Sequence, residues 1–162
     1  MLEWLEWLEN TGVARMVQES SWGYPIILST HAVGMAILAG IILMINFRIM
    51  GLASGLPLTS FRPMYRLALF GLLINAVSGT LLFVSNPDAF FESNPFRIKV
   101  ILLIVGITMM LRMGRRLFGS GVSADTAAAV APSKLAALIS TMVWLGVIIS
   151  GRLIAYIDWK DF

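Results

Sequence analysis

The chain has 162 residues, 58% of them hydrophobic and only 13% charged, with a formal net charge of +3. Soluble domains carry about 25% charged residues, so this composition excludes an ordinary soluble domain and places the chain among membrane proteins. Cysteine is absent, which excludes disulfides, thiolate metal sites and thiol catalysis.

The positive balance does not point to nucleic acid. Lys and Arg cluster at the ends of the apolar runs, where they set membrane topology. One helical unit uses the whole chain, with residues 1–22 as an interfacial amphipathic segment and 23–162 as the spanning part.

Residues 2–9 read LEWLEWLE. On a helical wheel Trp4, Leu5, Trp7 and Leu8 form an apolar arc opposite Glu3, Glu6 and Glu9, as in a helix lying on a bilayer surface. Asn10-Thr11-Gly12 breaks it, and Val13, Met16 and Val17 suggest a second amphipathic turn. No secretory signal is read here, because the start is acidic and the first long apolar run begins only at Tyr24.

Four spans are expected, at about 24–47, 66–85, 95–117 and 133–157. Each is ~20 residues or longer, enough for ~30 Å of hydrocarbon. Pro25 suits a first helical turn. A loop with Gly51, Gly55, Pro57 and Pro63 separates spans one and two. Asn86-Pro87-Asp88 ends the second span, and Asn94 is the expected N-cap of the third. Residues 119–132 read as a flexible loop, and Tyr156 with Trp159 forms an aromatic belt at the end of the fourth span. Small residues recur at helix-packing spacing in Ala32, Ala36 and Gly40, in Gly71, Asn75 and Gly79, and in Gly146 and Ser150. The expected fold is therefore all-α, a four-helix transmembrane bundle with an N-terminal interfacial amphipathic helix.

Arg48, Arg62, Arg66, Arg112, Arg115, Arg116 and Lys134 lie on one side of the expected membrane, seven in all. The other side has Arg15, Arg97, Lys99, Arg152 and Lys160. The positive-inside rule then puts both inter-span loops in the cytoplasm of a bacterial inner membrane and both termini outside.

His31, Ser78, Lys99 and Arg152 each fall a few residues inside a different span, at ends that share one face of the bilayer. At ~1.5 Å per residue this puts them at one depth, roughly 10 Å below the surface. Asn75 lies one turn deeper than Ser78. Ionisable groups at such depth are costly and usually mark function. The layer holds two cations and a histidine but no carboxylate; Asp88, Glu92 and Asp158 are peripheral. Lys99 and Arg152 either snorkel to lipid phosphates or meet an anionic ligand between the helices, such as a haem propionate, a carboxylate or a quinone head.

His31 is the only histidine. It is either a hydrogen-bonded packing group or a metal ligand, with the chemistry of an axial haem b ligand. Gly34 and nearby alanines would leave room for the macrocycle. With no second histidine, the sixth position is empty or filled by Met, Lys or another subunit. The ten methionines, Met35 among them, raise copper, but their scatter reads as apolar filler. There is no P-loop, dinucleotide fingerprint or repeated intramembrane charge.

At these residues the chain resembles an uncharacterised family of bacterial four-helix integral membrane proteins. The likeness rests on His31 with Gly34, on 46–52 (NFRIMGL), on 94–99 (NPFRIK) and on 151–156 (GRLIAY), in patches over 22–157. That family usually has Asp-Leu-Arg where this chain has Asn46-Phe47-Arg48. A first-helix histidine with a third-helix Phe-x-x-Lys is also remotely similar to the membrane protoporphyrinogen oxidases of the HemJ type and to the copper-resistance D proteins. The first resemblance implies haem b on His31 with Lys99 supporting it; the further histidines common there are missing here.

The functional expectations follow. First is a haem b or redox-cofactor protein with His31, Lys99, Arg152, Ser78 and Asn75 at the site, exchanging electrons with quinone. Second is an accessory subunit of a larger membrane complex or a homo-oligomer. Third is a small-ligand or copper carrier.

Overall fold

The computed structural model describes residues 3–119, 121, 123–154 and 156. Met1, Leu2, Asp158, Trp159 and Lys160 lie outside them, and so does the Trp159 half of the expected aromatic belt. Every regular element among the described residues is helical: α1 (Glu3–Glu9), α2 (Gly12–Glu19), α3 (Gly23–Met50), a 3-10 turn (Leu58–Phe61), α4 (Arg62–Ser85), α5 (Pro87–Glu92), α6 (Asn94–Phe118), α7 (Ala124–Val130) and α8 (Lys134–Leu153).

Local chemistry sets these boundaries. The Thr11 hydroxyl accepts from Ala14 N at 3.3 Å and opens α2. Gly51, at φ 111°, closes α3 in the left-handed conformation that a side chain disfavours. Pro63, expected in the loop, instead sits in the first turn of α4, where its missing N–H has no intrahelical partner to lose. The cap of α6 is Ser93, whose hydroxyl accepts from Phe96 N, and the expected cap Asn94 is the first helical residue. The expected flexible loop 119–132 contains α7, which a Ser123–Thr126 capping box initiates. Ser133 caps α8, and that helix stops at Leu153 instead of running to 157.

Three stretches are long and apolar enough to cross a membrane: Gly23–Met50, Leu58–Ser85 and Lys134–Leu153. Ile26, Val33, Phe70, Leu73, Val77 and Ile149 point outward from them, an apolar exterior suited to lipid. Successive long helices run antiparallel. The start of α3 meets the end of α4 through His31 and Ser78, while the end of α3 meets the start of α8 through Asn46 and Ser140.

α3 packs on α4 on one side and on α8 on the other, and α8 packs on α6. Gly34 and Gly71 make the α3–α4 approach close: a Cβ on Gly71 would lie 3.1 Å from Gly34 O. α4 and α6 meet through aromatic side chains. Tyr65 lies over Gly114 and donates to Met110 O at 3.3 Å, while the Phe83 and Phe96 rings stack at 5.5 Å at the opposite end. Leu38, Ile42, Ile45, Met110, Leu117, Trp144 and Val147 fill the core.

The small-residue stripes divide. Gly71 and Gly79 face α3, and Gly146 faces Leu102. Ala32, Ala36 and Gly40 are exposed, because α3 turns Gly34, Leu38, Ile41 and Ile45 inward on its other side. α1 and α2 cover the end where α3 begins. Ala14 and Val17 are buried, the Gln18 amide donates to Ser85 O, and the edge of Trp4 meets Phe91. The apolar arc of α1 splits, with Leu5 buried inward and Trp4 and Trp7 exposed.

Candidate functional site

Four helices contribute to one half-buried polar cluster at the end covered by α1 and α2. His31 projects from α3. Its Nδ1 lies 3.0 Å from Ser78 Oγ of α4, and the Ser78 hydroxyl donates to Ile74 O at 2.6 Å. With the serine proton on that carbonyl, the tautomer that suits Ser78 has the imidazole proton on Nδ1. Nε2 is then the acceptor, and Lys99 Nζ of α6 stands 3.5 Å from it. The chain of donors runs Lys99 to His31 to Ser78 to the α4 backbone.

Two glycines make the geometry possible. A Cβ on Gly79 would come 3.1 Å from His31 Cε1, so the imidazole rests on bare α4 backbone. The Lys99 stem lies on Gly151 of α8, where a Cβ would stand 3.4 Å from Nζ. Asn75 ties the cluster to α3, its amide donating to His31 O at 3.3 Å, while its buried Oδ1 has no protein partner.

Lys99 Nζ has the His31 imidazole as its hydrogen-bond partner. The last turn of α8, beside its Nζ, carries the negative end of a helix dipole, about half an elementary charge. That offsets part of the ammonium charge.

Of the five site residues expected from sequence, His31, Ser78, Asn75 and Lys99 converge. Arg152 does not join them. It is exposed, donates to the Tyr156 hydroxyl at 2.7 Å and stacks on that ring at 4.9 Å. With α8 ending at Leu153, Arg152 lies in its last turn and points away, while its neighbour Gly151 faces Lys99. Sequence reasoning placed Gly79 in a packing stripe, where it lies under the His31 ring, but did not connect Gly151 with Lys99; the signal available was a glycine beside an expected polar residue.

The surface of Gly34, expected to leave room for a macrocycle, is filled. A Cβ there would meet Asn75 Nδ2 at 2.7 Å and Ile74 Cγ2 at 2.8 Å. Both His31 nitrogens are engaged, so this packing does not fit axial ligation of haem unless Lys99 leaves Nε2. Two principal grooves run along the outer α3–α4 seam, one with Ser78 in its lining, and neither is lined by His31 or Lys99. Among the described residues no three His, Cys, Asp or Glu side chains converge as a metal site would need.

Comparison with known proteins finds no matching family model, no similar curated protein and no similar solved structure.

Proposed function

We propose that this chain is a four-span protein of the bacterial inner membrane, with both termini outside, that binds the anionic or carbonyl head group of a small amphiphile at Lys99. α6 supplies the fourth span of the bundle; its segment Val100–Leu111 is uncharged, and charged residues flank it at both ends. The seven basic residues at the opposite end of the helices support the orientation. The single observation that carries the binding reading is Lys99 Nζ, held between helices 3.5 Å from the His31 imidazole.

The division of labour follows from the bonds. Lys99 has further N–H donors for an incoming acceptor. His31 fixes the position of Nζ, and Ser78 fixes the ring. Asn75 Oδ1 offers an acceptor to a ligand hydroxyl or a water. A carboxylate, a quinone carbonyl or a haem propionate each supplies an acceptor for the further Lys99 donors; haem b on His31 itself is a separate reading that needs Lys99 displaced.

The test is thermal unfolding of detergent-purified protein with decanoate or decanol. Decanoate is expected to raise the midpoint of the parent chain and not that of Lys99→Met, with decanol inert. Equal shifts from the two would overturn the reading. An absorption scan from about 350 to 600 nm after haem addition separates the redox version, which requires a Soret band that His31→Ala abolishes.

A second reading, docking into an oligomer or larger complex, has its own observation. Ala32, Ala36 and Gly40 form an outward stripe, and a Cβ on Gly40 would meet nothing within 4 Å. Gly40→Leu would then abolish crosslinked oligomers in native membranes without unfolding the chain.

A further inference from the structure

The end of the molecule remote from Lys99 carries a cluster that topology alone does not explain. Arg62 and Arg66 begin α4, and Arg112, Arg115 and Arg116 lie in the last turns of α6. The two helix ends are joined directly. Tyr65 packs over Gly114 and tilts against Phe118 at 5.1 Å, and Arg62 Nη2 donates to Gly119 O at 3.3 Å. Arg62 and Arg115 therefore lie at this seam, with Arg66, Arg112 and Arg116 at the same end of the two helices.

Arg112, Arg115 and Arg116 suit a helix C-terminus. Arg62 and Arg66 do not suit an N-terminus, where the dipole is already positive. Arg62 Nε is also buried without an acceptor. Arg66, Arg112, Arg115 and Arg116 are exposed, and the Arg115 charge acts on the nearby Tyr65 hydroxyl. Asp125 is the single acidic residue in the segments 48–66 and 112–134 that form this end. An arrangement that gathers guanidinium groups against the helix dipole and leaves a buried N–H open is built for an anion from outside the chain.

At the end of a membrane span, the anion available at that level is a phosphodiester. We propose that the α4–α6 seam is a binding site for the head group of an anionic phospholipid, with Arg66 and Arg115 as phosphate donors and the outward apolar faces of α4 and α6 against its chains. The inference rests on the membrane-spanning part of the reading above and is independent of ligand binding at Lys99.

The experiment uses the full chain in a neutral detergent and compares unfolding midpoints with phosphatidylglycerol, phosphatidylcholine or inorganic phosphate. Phosphatidylglycerol is expected to raise the midpoint, phosphatidylcholine to leave it unchanged and phosphate to give less than half the shift. Arg66→Gln/Arg115→Gln, at exposed positions, is expected to lose at least half of the phosphatidylglycerol shift. Arg15→Gln, at the other end, and Lys99→Met are expected to keep it. Equal shifts from the two lipids, a full shift from phosphate alone, or a full shift in the double variant would each overturn the proposal. Retention in Lys99→Met keeps this outcome separate from that at the other site.

Discussion

His31 shows how much a single hydrogen atom decides. With Ser78 donating to Ile74 O, the arrangement favours the imidazole proton on Nδ1. Nitrogen-15 NMR of labelled protein is expected to report that tautomer. Ser78→Ala leaves the buried Nδ1–H without an acceptor, which costs about 1–3 kcal/mol, and denaturant unfolding would read the loss. Gly79 is the harsher position. A Cβ already stands 3.1 Å from His31 Cε1, so Gly79→Val is expected to expel the ring and remove ~1–3 kcal/mol by overpacking, with Gly79→Ala milder. An unfolding midpoint unchanged in Gly79→Val would contradict the packed geometry.

At the scale of elements, helix starts depend on side-chain oxygens more than on the apolar run. Ser93, not Asn94, accepts from Phe96 N, so Ser93→Ala is expected to destabilise α6 by ~1 kcal/mol while Asn94→Ala has little effect. Neighbouring residues compete for such a role on equal sequence terms, and the backbone turn that selects one is a property of the chain entering from α5. The α4–α6 seam makes a similar point. Gly114 accommodates the Tyr65 ring, so Gly114→Leu is expected to break the Tyr65–Met110 bond and quench the packed-tyrosine signal in near-UV circular dichroism. Nothing in the hydropathy of either helix announces that contact, which joins residues nearly fifty positions apart.

For the whole molecule, charge is sorted by end. The acidic residues other than Asp125 belong to the end with α1 and α2 or to the C-terminal tail, and seven Lys and Arg residues mark the opposite end. In the orientation argued above, a cysteine introduced at Gly55 is expected to resist membrane-impermeant maleimide in intact cells, and one at Asn10 to react. The reverse pattern would invert the topology. Two of its cationic levels are Lys99, against the end of α8, and the arginines at the start of α4 and the end of α6.

The positions of the long helices were legible in the sequence to within a few residues except at the end of α8, because apolar run length and flanking charge are local properties. The same locality marked His31, Ser78, Lys99 and Arg152 as one layer with Asn75 a turn deeper, since distance from a helix end translates directly into depth. Only the tertiary structure decided how that layer is wired. Arg152 and Gly151 are adjacent in sequence, yet successive residues leave a helix about 100° apart, so one meets Lys99 and the other meets Tyr156. The same rotation sent Gly34 inward to Asn75 and left Ala32, Ala36 and Gly40 outside. Depth follows from position along one helix, whereas contact requires the azimuth of two, and azimuth is set by the packing of all four.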